Sequence, residues 1–377
     1  MSLSTIRAGE EFDFHLYPSF AEAGTLGDPE AVIWSSINQL RSGAVAEWVG
    51  AERFGIKQKS DRKSIANNLK VYIQQAWEFY AAAKTAKANT GPLIYYYSFL
   101  NIAKALCELK NPGFHNYPEC YRHGITWRQN RKYTIDLNRE EVSLTSQRGV
   151  WNVLWESLTG VPINPGKNIN LSIKELFRFC PEISVEVERT LTGNNERFVD
   201  IKSAYGVYDH TKKEAWLRFA IPRSDLRFFR MPLRILLDQI STPRSGYLEV
   251  RSDSPELRVF ESSMPMKIRN IDQVRSSLQK DVIGLNAFTH IGHDGKIAYC
   301  FPVQSRIPFR MPQLMVLYTI LFWLGSLVRY DPHSVDRLFE SGYWVLVDGY
   351  VSQSRLWLLE LFEWALYQKE TSLYLTR

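Results

Sequence analysis

The segment RSDLRFFRMPLR carries four arginines, Arg223, Arg227, Arg230 and Arg234, at spacings of four, three and four. On a helix this spacing makes one arginine stripe, with Phe228 and Phe229 on the other side. The guanidinium fork matches phosphate geometry, and neighbouring aromatics can stack on bases. Pro232 interrupts the stretch, so a helix running through it would kink. The alternative is a solvated face paired with Asp225 and Asp238. Two shorter basic runs, Arg128-Arg131-Lys132 beside Trp127 and Tyr133, and Lys57-Lys59-Arg62-Lys63, fit solvated faces as well.

Other residues offer hydrolytic chemistry. Asp200-Ile201-Lys202 has the Asp-x-Lys spacing of many metal-dependent nucleases, and a strand would carry both side chains on one face. Glu186, Glu188 or Glu196 would then supply a second carboxylate. Alternation on an exposed strand explains the tripeptide equally well. His290 and His293 with Asp294 have metal-ligand types, yet the same residues read as the turn of a hairpin, and no metal site is expected. His115 and His123 share a loop with Cys120 but lack a third oriented partner, so they make no triad. No Arg precedes a His at the spacing that marks the helical ribonucleases called HEPN; Arg329 and His333 stand too close. No Gly-rich phosphate cradle occurs, and no cofactor is expected.

The elements that must position these groups are read from periodicity. A helix over 64–87 follows from Ile65, Leu69, Tyr72, Ile73, Ala76, Tyr80 and Ala83 at three- and four-residue spacing. Asn89-Thr90-Gly91-Pro92 stops it and starts a second helix, PLIYYYSFLNIAKALCEL, apolar nearly all round and therefore central. Ser98, Asn101 and Lys104 lie near one face of that helix and need partners, water or a ligand. Strands are expected over 132–137, 141–145, 197–208, 214–221, 247–251, 256–260 and 296–302, and short helices near 150–158 and 172–179, the latter with a Ser172/Glu175 capping box. Helices return over 313–330, 334–340 and 354–368. Residues 311–328 are uncharged between Arg310 and Arg329, but only part of this run is strongly apolar, so it reads as a core helix and no membrane partner is expected. Arg329 at its end suits the helix dipole and would reach Asn101 and Lys104 if the end helices pack together.

Composition bounds the class. Of 377 residues, 45% are apolar and 23% charged, which is enough to build a core and excludes wholesale disorder. The net charge of +6 favours polyanionic partners weakly. Four cysteines without a Cys-x-x-Cys pair point to free thiols in a reducing compartment. With no apolar leader at the start, the expected location is cytoplasmic.

The segment PLIYYYSFLNIAKAL resembles a helix of the bacterial YaaC-like proteins. The His123-Gly124 step, RGVWNVLWESLTG, LSIKELFRFCPEI and LGSLVRYDP follow in that family's order, and IANNLKVYIQQAWEFYAAA precedes them. Together they span most of residues 30–365. Val335 stands where the family pattern has a bulky aromatic. The resemblance implies a bacterial cytoplasmic protein without an established activity, some of whose relatives accompany anti-phage defence genes.

The expected fold is α+β: a helical region over 1–125, an α+β middle over 126–305, and a helical region over 306–377 that packs on the first. The first functional expectation is a non-catalytic module that contacts nucleic acid or a protein partner, with Arg223, Arg227, Arg230 and Arg234 on the phosphates. The alternatives are a metal-dependent hydrolase of nucleic acid using Asp200 and Lys202, and a small-molecule sensor built on Asn101, Lys104 and Arg329. The oligomeric state is left open.

Overall fold

Ile65, Leu69, Ile73, Ala76, Tyr80 and Ala83 form the buried side of α3 (Lys59–Thr85), so the spacing read in the sequence becomes a packing face. The computed structural model describes residues 5–12, 28–127, 135–163, 169–191, 198–228, 246–267, 288–291, 297–302 and 311–367. Helix α3 starts earlier than the apolar spacing predicts, because the basic run before Ser64 is helical too. A short connection leads to α4 (Gly91–Lys110), which packs along α3 and is buried nearly all round. Between them the Ser98 hydroxyl donates to the Ala76 carbonyl (2.7 Å), which satisfies one of the polar groups on α4.

Two helices not expected from periodicity precede α3: α1 (Pro29–Gln39) and α2 (Gly43–Glu52). Each is too short to display a long repeat, but Ile33, Trp34 and Ile37 are buried. Asp28 caps α1 by accepting from the Glu30 amide (3.0 Å).

The antiparallel strands β2 (Ile125–Trp127), β3 (Glu141–Leu144) and β4 (Asn170–Ser172) form a small sheet. With it come α5 (Val150–Thr159), α6 (Ile173–Phe177), capped by Ser172, and α7 (Ser184–Thr190). The strand expected over 132–137 falls partly outside the described residues. Its last part is not a strand, because Asp136 accepts from the Asn138 amide (3.0 Å) and turns the chain.

The ends of the chain do pack together. The uncharged run becomes α9 (Gln313–Tyr330), 83% buried inside the protein, which accounts for its composition without a bilayer. It crosses α4 closely at Gly325, where a β-carbon would lie 3.1 Å from Tyr96 Cβ. Beyond it lie α10 (Pro332–Glu340), α11 (Trp344–Gly349), a π-turn over Tyr350–Ser354 and α12 (Arg355–Tyr367). Helix α12 returns to the N-terminal helices: Phe362 stacks on Phe99 (5.9 Å between centroids), and Arg355 pairs with Glu30 (2.7 Å). The described residues of Leu26–Glu196 and Ser305–Lys369 thus make one compact unit, and those of Met1–Thr25 and Arg197–Gln304 a second.

The second unit is mostly antiparallel sheet. Strands β1 (Glu10–Phe12), β6 (Ser203–Asp209), β7 (Glu214–Pro222), β9 (Leu257–Ser262) and β8 (Tyr247–Val250) lie in that order, with β10 (Met266–Lys267) also on β7. A further sheet has the order β11 (Phe288–Ile291), β12 (Ile297–Pro302) and β5 (Phe198–Ile201). The single strand expected over 197–208 is therefore two strands in different sheets. The chain changes sheet at Lys202, whose amide donates to the Ala220 carbonyl (2.9 Å). The β6–β7 hairpin forms as expected, with Asp209 accepting from the amides of Thr211 (2.9 Å) and Lys212 (3.0 Å).

This unit holds a buried ion network. Arg218 and Glu261 are 5% and 1% exposed and bond at 2.8 Å, while Arg7 holds the other Glu261 oxygen at 2.9 Å. Removing the carboxylate leaves two guanidinium groups without their shared acceptor. Glu261→Ala is expected to cost about 3–5 kcal/mol, measurable as a lowered urea midpoint of this unit. A change below about 1 kcal/mol would mean that water replaces the carboxylate.

Candidate functional site

Tyr97, Asn101 and Lys104 follow one another at helical spacing on α4, so they share a stripe of that helix. Arg329, in the last turn of α9, reaches this stripe and donates to the Tyr97 hydroxyl (3.1 Å). Asn101 Nδ2 donates to the Tyr97 carbonyl (3.0 Å), so its amide is tied to its own helix. Tyr97 thus links two of the three residues expected to form a pocket.

Lys104, the third, stands one turn beyond Asn101, and His123, which the sequence places only in a loop with Cys120, was not among them. Its Nδ1 lies 2.6 Å from the Tyr96 hydroxyl, and the Tyr96 ring packs against Tyr318 on α9 (5.9 Å between centroids). The His123 ring also packs on Phe322 (5.6 Å between centroids). The residue therefore sits where α4 and α9 cross, half-buried, with its ring orientation set from both helices.

The loop that carries it is built by two glycines. Gly124 has φ +81°, and a β-carbon on it would meet Asn152 Oδ1 at 2.2 Å and the Gly149 amide at 2.9 Å. The first amides of α5 close the contact: Val150 donates to the Arg122 carbonyl (2.8 Å) and Trp151 to the His123 carbonyl (3.0 Å). These donors have no partner within their own helix, so the loop satisfies them and is fixed in return. Asn152 completes the cap by accepting from the Gly149 amide (2.9 Å).

The electrostatics follow from the packing. Burial lowers the proton affinity of His123, and the positive charges of Lys104 and Arg329 lower it further. At neutral pH its imidazole is uncharged. Burial holds Tyr96 and Tyr318 protonated, and the Tyr96 hydroxyl can serve either tautomer of the histidine. Among the described residues no carboxylate pairs with Lys104 or Arg329. Arg329 is exposed and Lys104 half-buried, so both cations are open to an incoming anion beside the imidazole. Around them the surface is aromatic: Phe79 lies 5.7 Å from Tyr97 between centroids, and the Arg329 guanidinium lies 5.1 Å from the centre of the Tyr330 ring. Phe79 and Tyr330 are 37% and 59% exposed, so both rings can be stacked upon.

The other sequence-derived residues are placed less favourably. Arg223 opens α8 (Arg223–Phe228), where its Nε donates to the Leu257 carbonyl (3.3 Å). Arg230 and Arg234, and the side chain of Arg227, lie outside the described residues. Asp200 and Lys202 are brought together and bond to each other (3.3 Å) on an exposed surface. The neighbouring carboxylate is Asp225, which accepts from the Asp200 amide (3.2 Å). Among the described residues no group of three or more His, Cys, Asp or Glu is arranged to hold a metal ion. His290 stands in the β11–β12 hairpin opposite Ala298, with the turn itself outside the described residues. His115 and Cys120 serve packing: His115 bonds the buried Glu108 (3.1 Å), and Cys120 meets the Tyr72 hydroxyl (3.3 Å).

Fold and site together define an α+β protein whose helical unit gathers a neutral histidine, a lysine and an arginine where its two central helices cross. The model of the family described as YaaC-like Protein matches residues 41–363, and the chain belongs to that family. No curated protein and no solved structure matches it. The segments in which the family resemblance is legible, those of Tyr96 to Lys104, His123-Gly124, Gly149 and Arg329-Tyr330, are the ones that meet around His123.

Proposed function

We propose that this protein binds phosphate-bearing ligands at Lys104, His123 and Arg329, with single-stranded nucleic acid as the class that fits best. The observation that carries this reading is the pair of cations, both felt by His123 and neither matched by a carboxylate among the described residues. A phosphate supplies the missing charge, and the Arg329 fork fits its oxygens. The exposed rings of Phe79 and Tyr330 and the half-exposed ring of Tyr97 offer faces on which unpaired bases stack, independent of sequence. The arginine segment at 223–234 is not required for this reading.

The test is fluorescence-anisotropy titration of short single-stranded RNA and DNA at low and moderate salt, comparing the parent with Lys104→Ala and Arg329→Ala. Each substitution is expected to weaken binding about 10-fold or more, as for a hydrogen bond to a charged group. Each should also flatten the dependence of log affinity on log salt by about 0.7. Binding that survives both substitutions unchanged would remove the site from consideration.

A further inference from the structure

Four observations bear on what happens to a bound phosphodiester. His123 has one ring nitrogen engaged, by Tyr96 at 2.6 Å, which leaves Nε2 for a ligand. The Tyr96 ring is in turn buried against Tyr318 and Phe322 on α9, at 5.9 and 5.6 Å between centroids. The Tyr96 hydroxyl fixes the orientation of the ring and can accept from Nδ1–H, the tautomer that leaves the Nε2 lone pair free. The charges that bear on the imidazole are both cations, Lys104 and Arg329. They repel a divalent metal and attract a phosphorane.

We infer that His123 is the general base of a phosphoryl transesterification on single-stranded RNA, with Lys104 and Arg329 as its electrostatic partners. The inference rests on the proposed binding site. It goes beyond binding because phosphate recognition alone would not need a histidine braced by Tyr96. The substrate must bring its own nucleophile, since no serine or cysteine hydrogen-bonds His123 among the described residues. RNA does so in its 2′-hydroxyl; DNA does not.

The step balances without an oxidant or a cofactor. With Nδ1–H donating to Tyr96, the Nε2 lone pair takes the proton of the 2′-hydroxyl. The 2′-oxygen forms a bond to the adjacent phosphorus, and the bond from phosphorus to the 5′-oxygen breaks. The leaving oxygen takes a proton from the Lys104 ammonium, and both groups re-equilibrate with water. Arg329, held by Tyr97, stabilises the charge that gathers on the non-bridging oxygens. The products are a 2′,3′-cyclic phosphate and a 5′-hydroxyl end. Tyr96 is a positioning residue, acting through the histidine.

The experiment uses the full chain with excess EDTA and a 5′-labelled single-stranded RNA, beside DNA of the same sequence. RNA is expected to be cut to fragments ending in cyclic phosphate, while DNA is bound and stays intact. His123→Gln keeps an amide to bond Tyr96 but cannot accept the proton. It is expected to slow single-turnover cleavage by about 100-fold or more with little change in RNA affinity. Tyr96→Phe is expected to shift the pH at which the rate reaches its plateau, which a merely structural role would not do. RNA that binds through Lys104 and Arg329 yet stays intact overturns the catalytic inference and leaves the binding site standing. RNA that does not bind overturns both. Cleavage that persists in His123→Gln, or that EDTA abolishes, overturns the assignment of His123.

Discussion

Gly124→Ala is expected to destabilise the helical unit by about 3 kcal/mol and to abolish ligand binding with it. The backbone at 124 is left-handed, which costs a residue with a β-carbon about 1 kcal/mol. The larger cost is steric. The added carbon would lie 2.2 Å from Asn152 Oδ1 and 2.9 Å from the Gly149 amide, and neither can give way cheaply. Asn152 is committed to the Gly149 amide, and Gly149 is itself pressed against Arg122 and His123. Relief requires the loop to lift from the first turn of α5. That breaks the bonds from Val150 and Trp151, leaves their amides unpaired in a buried place and carries His123 away from Tyr96. Urea denaturation of the parent and the variant measures the first effect, and RNA or DNA titration the second. A variant of parental stability and affinity would show that the loop has room the packing denies.

The second large effect belongs to Glu182, which lies in the turn Pro181–Ile183 and is half-buried, with its carboxyl oriented into the protein. The Ser354 hydroxyl donates to it (3.0 Å), and Gln313, Cys180 and Tyr350 lie close by. Burial pushes its carboxyl up to about 7, against an ordinary value of 4.5. A raised carboxyl binds its proton more tightly in the folded state than in the unfolded one. Its contribution is therefore fully favourable below about pH 4.5, is lost as pH rises towards 7, and stays lost above. The span corresponds to about 3 kcal/mol. Glu182→Gln removes the titration while keeping an acceptor for Ser354. The variant is expected to match the parent near pH 5 and to exceed its stability by about 2 kcal/mol at pH 8. The difference between the two proteins at each pH isolates this group, since His123 and every other residue titrate alike in both. A difference that is flat from pH 5 to 8 would show that Glu182 stays ionised in the core.

Much of the helical unit was legible in the sequence, because its long elements repeat a simple pattern. The spacing from Ile65 to Ala83 gave the buried face of α3, and the all-round apolar character of α4 and α9 gave their central place. The polar residues Ser98, Asn101 and Lys104 stood out on α4 because a buried helix must account for each of them, and Ser98 proved to be satisfied by α3. Short elements escaped. Helices α1 and α2 span too few turns to show a period, and the stretch 197–208 reads as one strand because alternation does not register a change of sheet at Lys202.

By itself, then, the sequence determined the class of fold, the two central helices and the polar residues Asn101 and Lys104 on one of them, while the family was legible as a resemblance of ordered segments. The elements follow from local periodicity and the polar residues from the cost of burying polar groups, which act residue by residue along the chain. Only the tertiary structure decided that His123 lies at the same helix crossing, held by Tyr96, which in turn packs on Tyr318. Those contacts join residues from three distant segments through one helix crossing and one left-handed glycine. No spacing along the chain encodes such a meeting, because the packing of α4 on α9 and of the loop on α5 sets the distances between them.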